Sequence, residues 1–415
     1  MAAQKSMSVA LDVFPKRNKA DLSDPKSSGI TTRVIRTIEE IEEIRGTWES
    51  WQFHPNTDID FFITNIKNDP KILYPHVVVA YRDGEPEALL AGRVVESRLD
   101  LKVGYASFLS PRVRTLAFAY AGFLGAESPE NCVALVSQIL ESLKNGEADI
   151  AVLKGVRPGS PLFETALHVP GALVRDHFPA TQLHRRMKMH ESVQEFQQSL
   201  SGVDRREQKR RAKKLLQEFS NDVRIECLSR PADLDRMFRD VDEVARKTYQ
   251  RGLGAGFVDT PNLRQLIKLW AERDRLRAYV LYAAGKPCAF WIGTLYGSTF
   301  HGDFMAFDPA LGKCAPGMYL LMRTIEGLYA NQQDCRVTDI DWGHGDAEYK
   351  EMLGNQSWEE ATISIFAPTV RGVSLNALRS PVILFDRYAR RVLERTRLLP
   401  RIKKAWRNRF AQGRF

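Results

Sequence analysis

The sequence predicts a mixed α/β fold (α+β elements around a twisted sheet) built from two tandem copies of one unit. Three observations support this prediction. The chain has 415 residues, which is long for one hydrophobic core and favours two domains. Each half contains a similar β-hairpin. A strand, a helix and a second strand follow each hairpin in the same order, as expected after an internal duplication.

The two hairpins share the pattern Y-x-x-G-x-P. Glycine readily adopts the positive φ that a tight hairpin turn requires, so each pattern predicts two strands joined by a short turn. The matching residues are Tyr81, Gly84 and Pro86 between Val77 and Val95, and Tyr282, Gly285 and Pro287 between Ala278 and Tyr296.

The segments after each hairpin change from strand-like to helix-like periodicity and back. Apolar residues recur at helical spacing in the middle segment of each half, and continuous apolar runs flank it. Each half is therefore expected to contain a strand–helix–strand unit. The predicted segments are Thr115–Ala126, Pro129–Lys144 and Asp149–Val156 in the first half, and Thr299–Phe307, Pro316–Ala330 and Val337–Trp342 in the second.

Composition and these elements predict four regions along the chain. Residues 1–29 are expected to be a flexible leader, 30–182 a first domain without the site, 183–370 a second domain with the site, and 371–415 a basic amphipathic tail. From Asp386 to the end, eleven Lys and Arg residues stand against two acidic ones. The net charge of +9 therefore resides in the tail.

Composition also narrows the class of protein. Hydrophobic residues make up 44% and charged residues 27% of the chain, as in globular proteins. We predict a cytoplasmic protein, because the leader has no signal-peptide pattern and the five cysteines include no CxxC pair. The eight histidines form no HxH or HxxxH pair, so no metal site is predicted. We expect no specific DNA binding.

The two predicted helices begin differently. The first follows Ser128 and Pro129, an ordinary capped start, whereas the second follows a segment from Gly312 to Met318 that offers no capping side chain. Free N–H groups at a helix start, together with the helix dipole, form an anion site. The alternative is a loop whose N–H groups are bound by water. The candidate phosphate-binding residues are Lys313, Ala315, Gly317 and Met318.

The strand after the second helix ends in the acidic stretch DIDWGHGDAEYK, which begins at Asp339. Asp341, His344 and Asp346 in this stretch could bind or deprotonate an amine or hydroxyl. His301 and Asp303 alternate on the preceding strand, so both point to one face and could reach the same cleft. A solvated acidic turn explains the stretch almost as well when it is considered alone.

These motifs resemble the GNAT acyl-CoA transferases. A strand, a Pro-Gly helix start and a D-x-G-x-G-D-x-x-Y-K segment are similar to the CelD-like branch, which is linked to cellulose and exopolysaccharide synthesis and related to the Fem aminoacyl transferases. The resemblance covers roughly Val77 to Pro368 and implies two GNAT-like domains. Two phenylalanines of the family's motif are replaced by Ile340 and Trp342, and an arginine is replaced by His344.

The resemblance implies roles for particular residues. Asp341 or Asp346 would position or deprotonate the nucleophile, with His344 beside them. Tyr349 would protonate the leaving thiolate, and Lys350 would contact substrate. Backbone N–H groups near Gly317 would hold the pyrophosphate of acetyl-CoA or another acyl-CoA.

Two basic or glycine-rich segments complete the candidate site. Residues 204–216 are a predicted helix rich in Lys and Arg, read either as a solvated face or as a rim that steers an anionic donor. A glycine-rich loop follows at Gly252–Gly256, and Arg251 beside it is a candidate substrate contact.

The sequence therefore predicts transfer of an acyl group, such as acetyl, to an amine or hydroxyl on a sugar or envelope precursor. One alternative is a Fem-like ligase that uses aminoacyl-tRNA, although the neutral body of the chain argues against such a polyanionic donor. Another is a scaffold without activity.

Residues 398–410 have a basic amphipathic pattern that indicates either helices docked on the second domain or contact with an anionic membrane surface. The second reading predicts a peripheral location at the inner face of the membrane.

Overall fold

The computed structural model of the protein describes residues 29–104, 106–248, 256–330, 337–345 and 347–395. Its centre is a mixed β-sheet that runs through both halves of the chain. The strands within the described residues are β1 (Ile30–Ile35), β2 (Ile72–Pro75), β3 (Val77–Arg82), β4 (Glu85–Arg98), β5 (Leu101–Val103), β6 (Ala106–Leu109), β7 (Arg112–Gly125), β8 (Ile150–Val156), β9 (Ala180–Lys188), β10 (Val223–Cys227), β11 (Leu276–Ala283), β12 (Lys286–Tyr296), β13 (Thr299–Phe307), β14 (Asp339–His344) and β15 (Gln356–Phe366).

Helices cover both faces of this sheet and bury its apolar side chains in separate cores on the two faces of each half. The arrangement follows from the sequence, because strands with apolar residues on both faces need cover on both sides. The helices within the described residues are α1 (Ile38–Glu43), α2 (Arg45–Trp51), α3 (Ile59–Asn68), α4 (Pro129–Lys144), α5 (Pro161–His168), α6 (Val193–Ser199), α7 (Gly202–Glu218), α8 (Leu234–Ala245), α9 (Pro261–Glu272), α10 (Pro316–Ala330), α11 (Glu348–Leu353) and α12 (Val370–Arg395).

The predicted duplication is confirmed by the order of the strands. The first half contributes β1-β3-β4-β7-β8 and the second contributes β10-β11-β12-β13-β14, each as neighbouring strands. Both predicted hairpins form, with the turn residues Asp83-Gly84 and Ala284-Gly285 all at positive φ. The helices predicted at Pro129 and Pro316 begin and end at the predicted residues.

The last strand of each half crosses to the other half. β15, from the end of the second half, pairs with β8 of the first, whereas β9, from the end of the first half, pairs with β14 of the second. β9 and β15 also pair with each other and join the two halves into one sheet. The domain boundary predicted between residues 182 and 183 is therefore wrong, because it falls inside β9 and each half is completed by the other's strand.

The parallel strand pair in each half separates after a short contact. β13 and β14 pair only from Thr299–His301 with Asp339–Asp341. Beyond these residues β13 stays with β12 and β14 stays with β9, so a gap opens between their carboxyl ends. β7 and β8 separate in the same way after Ala117 and Val152. Ligands of α/β sheets commonly bind where neighbouring strands separate in this manner.

Helix α12 forms the described part of the predicted tail. It packs on the first half, where Asn376 Nδ2 donates to the carbonyls of Leu173 and Arg175 and Arg379 pairs with Asp176 at 2.9 Å. It also contacts β15 of the second half, where the Arg379 guanidinium lies over the Phe366 ring, so docking on the second domain stays a prediction for the rest of the tail. Residues 398–410, the predicted membrane segment, lie outside the described residues. No helix of the described part is both long and apolar enough to cross a bilayer.

Candidate active site

A hydrogen-bonded group of ionisable side chains lies where β13 and β14 separate. We call it the histidine–carboxylate cluster and define it as Tyr120, His184, Asp341, His344 and Glu360. Tyr120 comes from β7 of the first half, and the other four come from β9, β14 and β15. The exchange of β9 and β15 between the halves therefore assembles this cluster.

Each contact in the cluster has hydrogen-bond geometry. His184 Nε2 lies 2.7 Å from Asp341 Oδ1, and His184 Nδ1 lies 3.1 Å from the Tyr120 hydroxyl. Tyr120 donates to Glu360 Oε2 at 2.7 Å, and His344 Nε2 lies 2.7 Å from the same oxygen. Both nitrogens of the His184 ring are thus occupied, and Glu360 accepts from two sides.

These contacts fix the charges of the cluster. Burial alone would lower the pKa of His184, but its bonds to Asp341 and Glu360 outweigh burial and raise the pKa to about 9. Burial opposes ionisation of the two carboxyls as well, yet the hydrogen bonds from His184 hold the pKa of each below its ordinary value. At neutral pH the cluster is an imidazolium between two carboxylates.

Two further histidines lie beside the cluster in a different state. His301 Nδ1 is 3.6 Å from Asp341 Oδ2, and the ring of His54 lies 4.6 Å from that of His301. Burial lowers the pKa of His54 to about 3 and that of His301 to about 4. Both rings are therefore neutral at physiological pH, and the site gathers four of the chain's eight histidines.

Two groups among the described residues are close enough to hold a metal ion. They are His54 with His301 and Asp341, and His184 with His344 and Glu360. In both groups the hydrogen bonds engage histidine nitrogens that a metal ion would need, and therefore favour protonated rings over metal binding. His54 Nδ1 accepts from the backbone N–H of Asn56, which puts the proton of the neutral ring on Nε2. His184 has no free nitrogen. We therefore interpret both groups as parts of a proton network.

Asp303 differs from the other carboxylates of the site. Its side chain opens to a small cavity of about 190 Å³ that His301, Asp341 and His344 also line. Although the carboxyl is accessible from this cavity, desolvation by the surrounding protein raises the pKa of Asp303 to about 7. Its Oδ2 accepts from Thr294 Oγ1 at 3.0 Å. A carboxyl that exchanges its proton near neutral pH has the property that general bases need.

A larger cavity of about 380 Å³ adjoins the same residues. We call it the central cavity. It occupies the gap between β7 and β8 and ends at His301, Asp341 and Glu360. Residues of both halves line this cavity. His54, Tyr120 and Arg157 also line it, so the first domain, which was expected to lack the site, contributes residues to this candidate site.

The predicted phosphate-binding segment lies at the start of α10. A 3-10 turn from Pro309 to Cys314 precedes it, and Ala315 takes the left-handed conformation (φ 48°) at the junction. Lys313 is exposed, whereas Met318 is half-buried against the core of the second half. Gly317 is buried, and a Cβ there would lie 3.1 Å from the Phe307 ring.

The remaining predicted residues are not brought to the cluster. The ring of Tyr349 contacts Trp342, which points to the opposite side of β14 from Asp341. The Lys350 ammonium donates to the carbonyl of His344 and so supports the backbone of the site. Asp346 and Arg251, which were predicted as site residues, lie outside the described residues.

Sequence reasoning missed three of the five residues of the cluster. Tyr120, His184 and Glu360, with His54 beside them, are far apart in the sequence and match no motif. Each strand did contain a hint of a polar site. Tyr120 interrupts an apolar run, Glu360 precedes one, and His184 has polar neighbours. Their meeting depends on the pairing of β7, β8, β15 and β9, which local patterns do not encode.

Comparison with known families agrees with this geometry. Residues 203–351 match the family model described as "Acetyltransferase (GNAT) domain". This range runs from α7 to α11 and includes β13, α10 and β14. The second half of the chain is therefore similar to a GNAT acetyltransferase domain. None of the curated proteins that were compared matches the chain.

Solved structures extend the likeness to both halves. The crystal structure of FemX aligns with a TM-score of 0.53 at 11% identity, over 81% of this chain and 97% of that one. The C-terminal DUF2156 domain of a putative lysylphosphatidylglycerol synthetase from Agrobacterium fabrum aligns at 0.47 and 11% identity, over 82% and 95%. A tandem GNAT protein from the clavulanic acid pathway gives 0.47 and 11%, over 82% and 99%. The FemX likeness shows a shared fold, and nothing about activity.

Proposed function

We propose that the protein transfers an acyl group from a coenzyme A thioester to an amine or hydroxyl, with the reaction at the gap between β13 and β14. The observation that carries this proposal is the position of ionisable groups at that gap. Asp303 and the histidine–carboxylate cluster lie where the two strands stop pairing. In a GNAT domain this is a suitable place for a thioester carbonyl.

The donor is proposed to lie between the separated strands. Beyond His301 and Asp341 the facing backbone groups of β13 and β14 leave the ladder that the two strands share. The amides of a pantetheine arm can pair with such groups as an added strand does. The pyrophosphate would then reach the start of α10, where backbone N–H groups and the exposed Lys313 attract an anion.

Asp303 is the proposed general base. Its pKa near 7 provides a deprotonated carboxylate at neutral pH that still accepts a proton readily. Asp341 suits this role less, since its ion pair with His184 lowers its proton affinity. Asp303 would take the proton of the acceptor N–H or O–H as this group attacks the thioester carbon. The C–S bond then breaks, and the thiolate takes up a proton from solvent, since Tyr349, the donor expected from the resemblance, lies on the other side of β14.

The histidine–carboxylate cluster is proposed to position the reacting groups. His184 holds Asp341 and Glu360 in place, and its two occupied nitrogens prevent easy exchange of its proton. Neutral His301 and His54 border the central cavity and can hydrogen-bond the acceptor there. The acceptor would thus approach through the first half while the donor occupies the second.

The identity of the acyl group and the acceptor rests on resemblance. We propose acetyl as the acyl group, a sugar or envelope precursor as the acceptor, the CelD-like branch as the nearest relatives, and a cytoplasmic location near the inner membrane face. Co-sedimentation with anionic vesicles tests the last point. The full chain should sediment at low salt, and a chain ending at Arg397 should not. Equal behaviour of the two chains would exclude a membrane role for residues 398–410.

Calorimetric titration with acetyl-CoA tests the donor assignment. We expect one molecule bound per chain, with binding competed by coenzyme A. A folded protein that gives no binding heat with acetyl-CoA at several temperatures, and no competition, would instead be a scaffold or would use another donor such as aminoacyl-tRNA.

A further inference from the structure

A second, larger cleft lies on the first half, on a part of the sheet that α1, α2 and α3 leave uncovered. We call it the outer cleft. It has a volume of about 1110 Å³ and opens over the middle of β4, β7 and β8. Basic side chains outnumber acidic ones around it. The residues that line it are Asp69, Lys71, Arg93, Val95, Glu96, Ser97, Arg98, Asp100, Arg112, Val113, Arg114, Ala117, Asp149, Lys154 and Arg371.

Two cations at the centre of the outer cleft lack a counter-charge. Among the described residues, Arg93 and Lys154 form neither an ion pair nor a hydrogen bond, and the Nε of Arg93 is fully buried without a partner. Burial and the nearby charge of Arg93 lower the pKa of Lys154, although much of its side chain remains accessible. Burial likewise lowers the pKa of Arg93, against the weak attraction of Asp69.

Three of the four acidic residues that line the cleft have other partners, and the fourth, Glu96, is exposed to solvent. Asp149 pairs with Arg371 at 3.0 Å, and Asp100 pairs with Lys102 at 2.8 Å. Asp69 accepts from the backbone N–H of Lys71 at 3.0 Å. A buried guanidinium is normally paired, because taking an isolated charge out of water is costly. The outer cleft therefore holds two neighbouring positive charges that form no ion pair with a carboxylate among the described residues.

We propose that the outer cleft binds a phosphomonoester group between Arg93 and Lys154. A dianion compensates both charges at once, whereas a carboxylate compensates one. The planar guanidinium can bind two phosphate oxygens in parallel, and the ammonium can bind a third. Ser97 and Thr115, whose hydroxyls lie 2.7 Å apart on the neighbouring strands, add polar groups near the same face of the sheet.

The position of the site suggests what its ligand does. Lys154 lines both the outer cleft and the central cavity. A ligand held by its phosphate at Lys154 can therefore extend between β7 and β8 toward His301 and Asp341. In that case the phosphate belongs to the acceptor substrate. This assignment rests on the transfer reaction proposed above, whereas the binding site itself does not.

Phosphate binding to the full chain provides the test. Inorganic phosphate is titrated calorimetrically, and thermal unfolding is followed in phosphate and in chloride at equal ionic strength. We expect saturable binding and a rise in Tm that phosphate produces and chloride does not. Arg93→Met and Lys154→Met should each weaken phosphate binding at least tenfold. Lys268→Met, which removes one exposed charge on α9 away from the cleft, is the control and should bind as the unmodified protein does.

The Tm of the variants in chloride distinguishes cations that bind a ligand from cations that stabilise the fold. Because the two cations lack partners, Arg93→Met should not lower Tm in chloride, and Lys154→Met, at an accessible position, should fold in any case. Phosphate affinity that is equal in all variants, or no greater than that for acetate, would overturn the proposal. Vesicles of phosphatidylcholine with and without phosphatidic acid distinguish the source. Because residues 398–410 are also proposed to bind anionic vesicles, the unmodified chain is compared with Arg93→Met. Weaker sedimentation of Arg93→Met indicates a lipid headgroup, and phosphate binding with equal sedimentation of the two indicates a soluble phosphomonoester.

Discussion

At the scale of single residues, His184 is the group on which the candidate site depends. It is nearly inaccessible to solvent and lies between two carboxylates. Burying one cation between two anions leaves a net negative charge, which costs free energy unless every atom is well bonded. The contacts from Tyr120, Trp358 and His344 to Glu360 supply these bonds. The arrangement is specific and not easily replaced.

His184→Gln should destabilise the protein by about 3–5 kcal/mol at pH 6, because two buried carboxylates lose their cation. The loss should shrink as the pH rises. The pKa of His184 is raised from 6.5 to about 9 on folding. Its stabilising effect is therefore complete below about pH 6.5 and disappears as the pH passes 9. Urea unfolding of both proteins at pH 6 and pH 9.5 measures the difference.

His168→Gln on α5 is a matched control, because this histidine is half-exposed and pairs with Glu164 at 3.4 Å on the surface. It should change stability by less than about 1 kcal/mol at either pH. If His184→Gln lost the same stability at pH 6 and pH 9.5, His184 would not be protonated in the folded protein.

The residue scale is also where prediction from sequence worked least well. Asp341, His301 and Asp303 were found because they share or neighbour one acidic strand end. His184 and Glu360 were not found, because each depends on a distant partner. His184 pairs with Asp341, 157 residues away in the sequence, and Glu360 pairs with His184, 176 residues away. Spacing rules detect ligands on one element and cannot detect side chains joined by long-range strand pairing.

At the scale of elements, the start of α10 links fold to donor binding. Gly317→Val adds a branched side chain whose Cβ meets the Phe307 ring at 3.1 Å. Phe307 is 40% exposed, so the ring can move and the fold should survive. The displaced ring and added bulk should hinder a phosphate at the helix start. We expect the affinity for coenzyme A, measured by calorimetry, to fall about tenfold to a hundredfold, or roughly 1.4–2.7 kcal/mol.

Gly327→Val provides the matched control within the same helix. A Cβ at Gly327 would have no atom of another element within 4 Å. Both variants carry the same change in helix propensity, yet only Gly317 lies in the first turn of α10. Coenzyme A affinity that is reduced equally in the two variants would remove the phosphate site from this helix start.

The elements themselves were predictable where local chemistry determines them. Pro129 and Pro316 begin helices because proline suits the first helical turn. Gly84 and Gly285 form turns because they adopt positive φ readily. The crossing of β9 and β15 was not predictable, since both strands could have completed their own half with the same apolar pattern. The domain boundary failed for this reason.

At the scale of the whole molecule, the exchange of β9 and β15 should make the two halves unfold together. When one half unfolds, the other loses the exchanged strand next to its β8 or β14, and the hydrogen bonds from β8 to β15 and from β9 to β14 are then lost. We expect one transition in urea, with tryptophan fluorescence and far-ultraviolet circular dichroism changing at the same denaturant concentration. Two separated transitions would show that the halves are independent domains.

The active site follows from the same exchange. The residues proposed to face the donor lie on β13 and β14, and those proposed to face the acceptor lie on β7 and the segment before α3. The exchanged strands supply His184 and Glu360 between them. A transferase needs two substrates held against each other, which lowers the entropic part of the barrier. The duplication produces one gap between β7 and β8 and another between β13 and β14. The exchanged strands β15 and β9 lie between these two gaps in the sheet.

The central claim is that acyl transfer takes place at this point with Asp303 as the base. The most direct test is the rate of coenzyme A release from acetyl-CoA as a function of pH, with amines or water as acceptors. The unmodified protein should lose activity as the pH falls below about 7, because Asp303 then becomes protonated. Asp303→Asn should be slower by about 10²–10⁴-fold with acetyl-CoA affinity retained. Asp235→Asn, at a fully exposed position on α8, should be unchanged. An Asp303→Asn variant with the rate and pH profile of the unmodified protein would contradict the account.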